Sequence, residues 1–277
     1  MNITLPDGST RELKEGSTGL DLAMDIGPGL AKAAIAITVN GDQKDLCDPI
    51  EADTKVSIIT IDSSEGLEIM RHTLTAQVLA RAVKNLYPDT KLAVGPTISD
   101  GFYYDFEFTK PISPDDLQNI EKEMRKIIDT KSSITKTLHS KEDALKVFKE
   151  KGEVYKESII TESNQDNDFQ LYYQDDDEFV DLCRGPHLPS LKHIGSFKLT
   201  KLAGAYWKGD SKNKMLTRIY GTAWKNDKDL NVHLHSIEEA EKRDHRKLGK
   251  EMNLFHFQEE APGMVFWHPD GWTIYRL

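Results

Sequence analysis

The stretch Ile35-Ala36-Ile37-Thr38-Val39-Asn40-Gly41 sets a run of apolar and β-branched residues directly before an Asn-Gly pair. Residues of this kind favour strands, and Asn-Gly is a strong signal for a two-residue hairpin turn. The segments on either side predict the neighbouring elements, which are strands at 2–5, 10–13 and 55–61 and a helix near 18–26. This order of hairpin, helix and hairpin predicts a small β-grasp fold over residues 1–61.

A polar linker and a long helix follow this first segment. Asp62-Ser63-Ser64-Glu65-Gly66 has no apolar periodicity and predicts a linker. From Leu67 to Leu86 apolar residues recur at helical spacing, and Pro88 marks the end of that helix. Further helices are predicted near 113–129 and 141–151, and short strands up to about residue 221. The fold class is therefore predicted to be α+β.

The C-terminal part of the chain has a different pattern. Residues 227–257 predict one long helix with a charged middle, Glu241 to Lys247, that has almost no apolar face. Such a helix is expected to connect domains. Residues 258–277 carry turn and strand signals of a further domain. The predicted domains are thus 1–61, 67–226, a linker helix at 227–257, and the beginning of another domain at 258–277.

Size and cysteine content limit the kind of protein. The chain has 277 residues, a net charge of -10 and two cysteines far apart in sequence, Cys47 and Cys183. This length suits two domains whose cores need no disulfides. Neither a signal peptide nor an apolar run of membrane-spanning length is present. We therefore expect a cytoplasmic protein without a membrane partner.

Charge is unevenly distributed along the chain. An acidic stretch at 166–181 precedes a basic stretch at 184–225, in which Asp210 is the single acid. The basic stretch also contains Tyr206, Trp207, Tyr220 and Trp224. Cations among aromatic rings suit phosphates and unstacked bases. A solvated sheet edge above core aromatics explains the same composition equally well.

The sequence Asp181-Leu182-Cys183-Arg184-Gly185-Pro186-His187 places a carboxylate, a thiol and an imidazole within one tight turn. Its Cys-x-x-x-His spacing can hold zinc or form a polar pocket. The spacing alone is only moderately specific, because a buried cysteine beside a surface histidine gives the same pattern.

Several motifs together make the chain resemble the N-terminal part of bacterial threonyl-tRNA synthetases. The matching segments, in order, are Gly95-Pro96, Gly101-Phe102-Tyr103-Tyr104-Asp105, Tyr155-Lys156, Asp181 to His187, Gly204 to Asp210, Arg218 to Trp224, Lys242 to Gly249 and Glu259 to Trp267. They cover nearly the whole chain. The resemblance implies a TGS domain at 1–61, an editing domain at 67–226, the linker helix, and the truncated start of a class II catalytic domain.

The family charges tRNA with threonine, and the resemblance implies a second site that corrects errors. Serine lacks one methyl of threonine, and one methyl discriminates by only about 1–3 kcal/mol, so mischarged seryl-tRNA must be hydrolysed separately. By resemblance the editing site includes Lys156, Asp181, Cys183 and His187, with Tyr104 as a wall of the pocket. The tRNA(Thr) acceptor end is the implied partner. ATP, Mg and Zn, and the family's homodimer contacts, belong to the catalytic domain that this chain lacks, so the oligomeric state stays open.

The first helix departs from the family pattern Arg-His-x-x-x-His. Here Arg71 and His72 are followed by Gln77 where the second histidine is expected, one residue later. Residues five apart on a regular helix are separated by about 140°. His72 and Gln77 therefore share a face only if His72 precedes the helix or a bulge absorbs the extra residue. Counting back from Pro88 instead makes Thr73 and Gln77 the paired positions, with Thr73 in contact with substrate.

Two chemistries remain open for this site. As a hydrolase, Cys183, His187 and Gln77 could hold a water, Lys156 could stabilise the oxyanion, and His187 or His72 could move the proton. As a metal site, His72, Cys183 and His187 could supply three zinc ligands. Both require the helix and the turn to converge on one cavity.

The predicted activity is hydrolysis of mischarged seryl-tRNA(Thr), without charging of tRNA by this chain alone. A non-catalytic tRNA-binding or regulatory fragment with a degenerate editing site is the alternative. For the aromatic segments Gly204 to Asp210 and Arg218 to Trp224, structural roles are favoured over direct contact with tRNA.

Overall fold

A computed structural model of the chain describes residues 1–174 and 179–277. Residues 175–178, in the middle of the acidic stretch, lie outside the described residues. The described residues form two compact units, Met1–Asp227 and Lys228–Leu277. They contain both helices and several sheets, which confirms the α+β fold class. In the described part of the chain, no helix has the length and apolar character needed to cross a bilayer.

Residues 1–60 contain a five-stranded N-terminal sheet in the order β2-β1-β5-β3-β4. Its elements are β1 (Asn2–Thr4), β2 (Thr10–Glu12), α1 (Gly19–Ile26), α2 (Pro28–Ala33), β3 (Ala34–Val39), β4 (Asp42–Asp45) and β5 (Thr54–Thr60). The pair β1 and β5 is parallel and the other pairs are antiparallel. Thr18 and Asp21 form a reciprocal capping box at α1. The predicted β-grasp arrangement is confirmed.

The predicted hairpin at Asn40-Gly41 joins β3 to β4, and both residues have positive φ, 52° and 98°. Those angles match the right-handed twist of the flanking strands, which is why Asn and Gly are favoured there. The hairpin fixes the register of β4 so that Ala36 pairs with Asp45, its last residue. Asp45 is buried at this position, although it is a carboxylate.

One long helical segment carries the chain from the N-terminal sheet into the larger part of the first unit. It consists of α3 (Ser64–Thr73), a π-helical turn at Leu74–Leu79, called here the π turn, and α4 (Ala80–Leu86). The Ser63 hydroxyl caps α3 by accepting from the Gly66 amide. The amide of Ala80 donates to the carbonyl of Thr75, five residues earlier. A π turn is thus the bulge that accommodates the extra residue between His72 and Gln77.

A central sheet packs against this segment and α5. Its strands run in the order β12-β13-β8-β6, with β7 paired to β8. The elements are β6 (Lys91–Leu92), β7 (Thr97–Ile98), β8 (Gly101–Glu107), α5 (Asp116–Asp129), β12 (Ser196–Tyr206) and β13 (Met215–Trp224). Leu74, Leu79, Phe102, Phe106 and Ile219 belong to the core that forms between them. The Arg71 guanidinium donates to the carbonyls of Ala223 and Ser99, which ties α3 to this sheet.

A small sheet in the order β11-β10-β9 completes the first unit. The elements here are β9 (Ile134–His139), α6 (Lys141–Glu150), α7 (Val154–Glu162), β10 (Phe169–Gln174) and β11 (Val180–Leu182). Short 3-10 turns lie at Leu191–His193 and Trp207–Gly209. The antiparallel pairing of Tyr172 with Asp181 places the turn after β11 beside β10.

The second unit corrects two predictions. The single linker helix predicted over 227–257 is two helices, α8 (Asp227–Lys242) and α9 (His245–Glu251), because the Asp244 side chain caps α9 and bonds the Arg246 guanidinium. The strand-like run at 271–277 is helix α10 (Pro269–Arg276), which begins with Pro269 and Asp270, both favourable at a helix start. A two-stranded sheet pairs β14 (Phe255–His256) with β15 (Phe266–Trp267).

Candidate functional site

The end of α3 and the turn after β11 meet at a cluster of two histidines and a cysteine. The Nε2 atom of His72 lies 2.7 Å from the Sγ atom of Cys183. The rings of His72 and His187 are stacked, with centroids 4.6 Å apart and planes 14° apart. One ligand atom from each of His72, Cys183 and His187 lies within 4.8 Å of the others. The helix and the turn thus converge, as both proposed chemistries require.

A cavity of about 770 Å³ opens beside this cluster. Four of the residues proposed for the site line it, namely His72, Lys156, Asp181 and Cys183. The other lining residues include Ala76, Val94, Gly95, Pro96, Gln170 and Arg184. The described lining does not include Thr73, Gln77, Tyr104 or His187, which are buried behind the wall. The volume is in the range of pockets that enclose a small organic ligand.

Hydrogen bonds of Thr73 fix the position of His187 and of the residue after it. Its hydroxyl donates to the carbonyl of Ile69 and accepts from the amide of Leu188. The Nδ1 atom of His187 lies 3.2 Å from the same hydroxyl oxygen. Because the single hydroxyl proton is directed to Ile69, this network assigns the proton on the imidazole to Nδ1. The Nε2 atom of His187 then carries a lone pair, and among the described residues it is buried without a hydrogen-bond partner.

Lys156 and Asp181 form a buried ion pair that also lines the cavity. The Nζ atom of Lys156, on α7, lies 2.6 Å from Oδ1 of Asp181, and the two side chains are 4% and 2% exposed. The Tyr104 hydroxyl donates to Oδ2 of Asp181 at 3.3 Å, and the amide of Leu182 donates to Oδ1. Burial raises the pKa of Asp181, and the charge of Lys156 opposes this rise. Burial and the Asp181 carboxylate raise the pKa of Tyr104, so its hydroxyl stays a donor.

Burial also decides the charge of the two histidines. It lowers the pKa of His72 below 6.5, although the carboxylates of Asp181 and Asp45 act in the opposite direction. It lowers the pKa of His187 in the same way, against the influence of Cys183. Both imidazoles are therefore neutral at pH 7, and a neutral imidazole can accept a proton or bind a metal.

Gln77 is directed away from the cavity. Its carbonyl oxygen accepts a 2.7 Å bond from Nε2 of Gln174, on β10, and its Oε1 lies 3.4 Å from the same nitrogen. The Arg81 guanidinium in turn donates to Oε1 of Gln174. His72, near the end of α3, lines the cavity, whereas Gln77, in the π turn, is buried beside Gln174 of the small sheet.

The residues of the cluster suit a divalent metal of intermediate softness. Two imidazoles and one thiolate are the donor set of an open, three-ligand zinc site. The unpartnered Nε2 of His187 is the lone pair that such a site needs. His72, Cys183 and His187 are thus the residues that could hold the ion.

Sequence reasoning missed two contributors to this site. Arg184 is exposed and lines the cavity, so it places a cation there. Its position inside the Asp181–His187 motif was the available signal. Asp45 contacts the main chain of His187 from the N-terminal sheet. No local pattern around Asp45 indicates this contact.

Comparison with known proteins relates this geometry to a family. The TGS domain family matches residues 1–60, and the threonyl and alanyl tRNA synthetase second additional domain matches residues 170–220. A threonine–tRNA ligase from Hahella chejuensis (strain KCTC 2396) is 54% identical over 275 residues, which are 99% of this chain and 43% of that protein. One from Paramagnetospirillum magneticum (strain ATCC 700264 / AMB-1) is 55% identical over 276 residues, again 99% of this chain and 43% of that protein.

A third relative, the threonine–tRNA ligase of Maricaulis maris (strain MCS10), is 54% identical over 277 residues, 100% of this chain and 42% of its own length. The chain therefore spans less than half the length of the curated relatives that it matches. The matches run from the β-grasp sheet to the end of the second unit. The chain is similar to the N-terminal region of these ligases, and along its length it matches first the TGS domain family and then the second additional domain family.

Proposed function

We propose that the cavity beside His72 and Cys183 binds the aminoacylated end of tRNA(Thr) and hydrolyses the ester of a mischarged serine. The observation that carries this proposal is the cluster of His72, Cys183 and His187 beside a cavity that the Lys156–Asp181 ion pair also lines. The imidazole of His72, a proton acceptor, and the ammonium group of Lys156 then line the same cavity. In a ligase of this family, the chain would supply the part that removes errors.

The hydrolysis needs a water, a proton acceptor and a group that stabilises negative charge. Water attacks the ester carbonyl carbon and gives its proton to the neutral imidazole of His72, which lines the cavity. The bond between that carbon and the ribose oxygen then breaks, and the protonated imidazole returns the proton to the ribose oxygen. Serine and tRNA with a free ribose hydroxyl are the products.

Lys156 is placed to stabilise the oxyanion of the tetrahedral intermediate. An ammonium group has three N–H donors. Among the described residues, one is directed to Asp181 and a weaker contact of 3.4 Å reaches the carbonyl of Leu182. A remaining donor can serve the developing charge, and Asp181 holds the ammonium in place. In a buried site such a fixed charge is more effective than in water.

Cys183 has a different function in this proposal. Its Sγ contacts Nε2 of His72 and accepts from the amide of Gly185 at 3.5 Å. These contacts orient the thiol and the imidazole relative to each other. If zinc binds to His72, Cys183 and His187, it would supply a water of lowered pKa at the same position.

The test uses the purified chain with seryl-tRNA(Thr) and threonyl-tRNA(Thr). We expect release of serine well above the uncatalysed rate, and slower release of threonine. Cys183→Ala should reduce serine release by about tenfold or more. Cys47→Ala is the matched control, because Cys47 is the exposed cysteine of the N-terminal sheet region. A wild-type chain that leaves seryl-tRNA(Thr) intact would reject the proposed function.

A second candidate is tRNA binding without hydrolysis. It is favoured by cation and aromatic pairs on the central sheet, where the Arg218 guanidinium lies 3.8 Å from the ring centre of Tyr103 and Lys201 Nζ 4.6 Å from that of Tyr220. Such pairs offer both charge and ring faces to RNA. Binding of tRNA(Thr) that Cys183→Ala leaves unchanged, with no deacylation, would support this candidate.

A further inference from the structure

One side chain of the N-terminal sheet, that of Asp45, contacts a residue of the candidate site. Asp45, the last residue of β4, is 6% exposed. Its Oδ1 atom accepts a 2.8 Å hydrogen bond from the main-chain amide of His187, which is 142 residues away in sequence. A charged acceptor makes this bond stronger than an ordinary amide bond. Asp45 therefore fixes the main chain at the end of the Asp181–His187 motif.

The other carboxylate oxygen of Asp45 organises the surroundings of the His187 ring. Its Oδ2 accepts from the Tyr172 hydroxyl at 2.7 Å and from the Lys136 ammonium at 3.0 Å. The Tyr172 ring packs edge-on against the imidazole of His187, with ring centroids 4.3 Å apart. One carboxylate thus holds both the main chain of His187 and the ring that packs against its side chain.

Gly185 allows this close approach. It has a φ of +64°, and a Cβ atom there would collide with the Tyr172 hydroxyl and lie 3.2 Å from Oδ2 of Asp45. A larger residue would push the turn away from β4 and β10. At Gly185 the turn is therefore in close contact with both the small sheet and the N-terminal sheet.

We propose that Asp45 is a positioning residue of the deacylation site, so that the TGS domain forms part of the site's supporting structure. Asp45 does not line the cavity and acts through His187, whose ring is stacked on that of His72. A shift of His187 would therefore displace the imidazole of His72, which lines the cavity. Misplacement of a reacting group by about 1 Å can lower a rate by about a hundredfold. This inference rests on the proposed function.

The alternative is that Asp45 only stabilises the fold through its ion pair with Lys136, which also contacts Asp48. Three variants separate the two roles. Asp45→Ala removes the acceptor for the His187 amide. Asp45→Asn keeps an oxygen for that amide but loses the charge. Lys136→Gln removes the ion pair and leaves the bond to His187 in place.

We expect Asp45→Ala to lower kcat for seryl-tRNA(Thr) deacylation by about tenfold or more, with KM within about twofold of wild type. Asp45→Asn should restore most of kcat. Lys136→Gln should lose thermal stability yet keep kcat within about twofold. The inference is overturned if Asp45→Ala keeps wild-type kcat, or if Lys136→Gln loses kcat to the same extent at an equal loss of stability.

A second readout does not depend on catalysis. Because the rings are stacked, the ring-proton NMR shifts of His72 report the position of His187. We expect these shifts to change in Asp45→Ala and to stay near wild type in Asp45→Asn and Lys136→Gln. Unchanged shifts in Asp45→Ala would overturn the inference. If Asp45→Ala does not fold, Tyr172→Phe removes the hydrogen bond to the other carboxylate oxygen, Oδ2. Changed His72 shifts in this variant would support positioning by Asp45, and unchanged shifts would overturn it.

The two proposals can fail separately. A wild-type chain without deacylase activity rejects the proposed function, and the NMR comparison still tests the positioning by Asp45. An active wild type whose Asp45→Ala variant is equally active rejects only the inference.

Discussion

The Nε2 atom of His72 lies 2.7 Å from the Sγ atom of Cys183, although 111 residues separate them in sequence. This contact joins the end of α3 to the turn after β11 and defines one wall of the cavity. Burial lowers the pKa of His72, so its imidazole is neutral at pH 7, and the contact with Cys183 orients the ring. The contact therefore places an imidazole and a thiol side by side at the wall of the cavity.

His72→Ala should remove most of the deacylase activity. His72 is the imidazole that lines the cavity, and loss of a general base typically costs a factor of about 10²–10⁴ in rate. The rate of serine release from seryl-tRNA(Thr) under single-turnover conditions measures the effect. His235→Ala, at an exposed position of α8, is the control and should leave the rate unchanged. Equal activity of the two variants would exclude His72 as the proton acceptor.

Gln77→His should not increase deacylation by more than about twofold. Position 77 is the place where the family resemblance leads one to expect a second histidine, but its side chain is buried beside Gln174 and does not face the cavity. An imidazole there has no direct path to a bound ester. The measurement is the same single-turnover assay on both proteins. A tenfold gain would show that residue 77 reaches the substrate and that the π turn rearranges.

The sequence predicted the parts of the fold that local chemistry determines. The Asn40-Gly41 turn and the alternating strands were sufficient for the β-grasp sheet, and apolar spacing was sufficient for the helix that carries His72. The run at 271–277 was misread because Trp272, Thr273, Ile274 and Tyr275 have strand propensity, which the helix-start residues Pro269 and Asp270 outweigh. Strand propensity is weak evidence for a strand when the residues at the start of the segment favour a helix.

The site was predictable in its residues but not in its arrangement. The Cys183 and His187 spacing indicated the turn, and the extra residue before Gln77 indicated either a bulge or a shifted helix. Which of these occurs depends on packing between α3, the central sheet and Gln174, and no local pattern encodes that choice. The bond from His187 to Asp45 links residues on separate sheets, so sequence periodicity could not indicate it.

Zinc binding, if it occurs at the cluster, should depend on Cys183 and not on Cys47. The thiolate of Cys183 is one of three converging donors, whereas Cys47 is exposed and lies outside that cluster. After chelator treatment and dialysis against zinc, we expect about one ion per chain in wild type and Cys47→Ala, and much less in Cys183→Ala. Metal content by mass spectrometry gives the number. Equal zinc in all three proteins would place the ion elsewhere.

Cobalt substitution gives an independent check on the ligand set. A thiolate bound to Co²⁺ produces a charge-transfer band in the near ultraviolet, and tetrahedral Co²⁺ absorbs in the visible range. We expect both signals in wild type. His187→Ala should weaken them, because Nε2 of His187 is the unpartnered donor of the cluster. A wild-type chain without these signals would favour metal-free hydrolysis by His72.

The ion pair of Lys136 with Asp45 and Asp48 should make stability fall at alkaline pH. Burial alone would lower the pKa of Lys136, but the two carboxylates outweigh it and raise the pKa above 10.5. A group whose pKa is higher in the folded state stabilises fully below its unfolded value and loses this contribution as pH rises through the folded value. The stabilisation is therefore constant below about pH 10.5 and declines above it.

Lys136→Gln isolates this contribution. It leaves two carboxylates unpaired and should cost about 3 kcal/mol at neutral pH. The difference in unfolding free energy between wild type and Lys136→Gln, from urea titrations, should stay constant from roughly pH 8 to 10 and shrink at higher pH. Partial burial of the Cys47 sulfur and the nearby carboxylates of Asp45 and Asp48 raise the pKa of that thiol above 9.0, so both proteins should carry Cys47→Ala to remove its titration. Tyr172, whose pKa is raised by burial and by Asp45, stays protonated throughout this range. A difference that does not change up to the alkaline limit would mean that Lys136 adds no charge-dependent stability, and the role of Asp45 would then be confined to the hydrogen bond with His187.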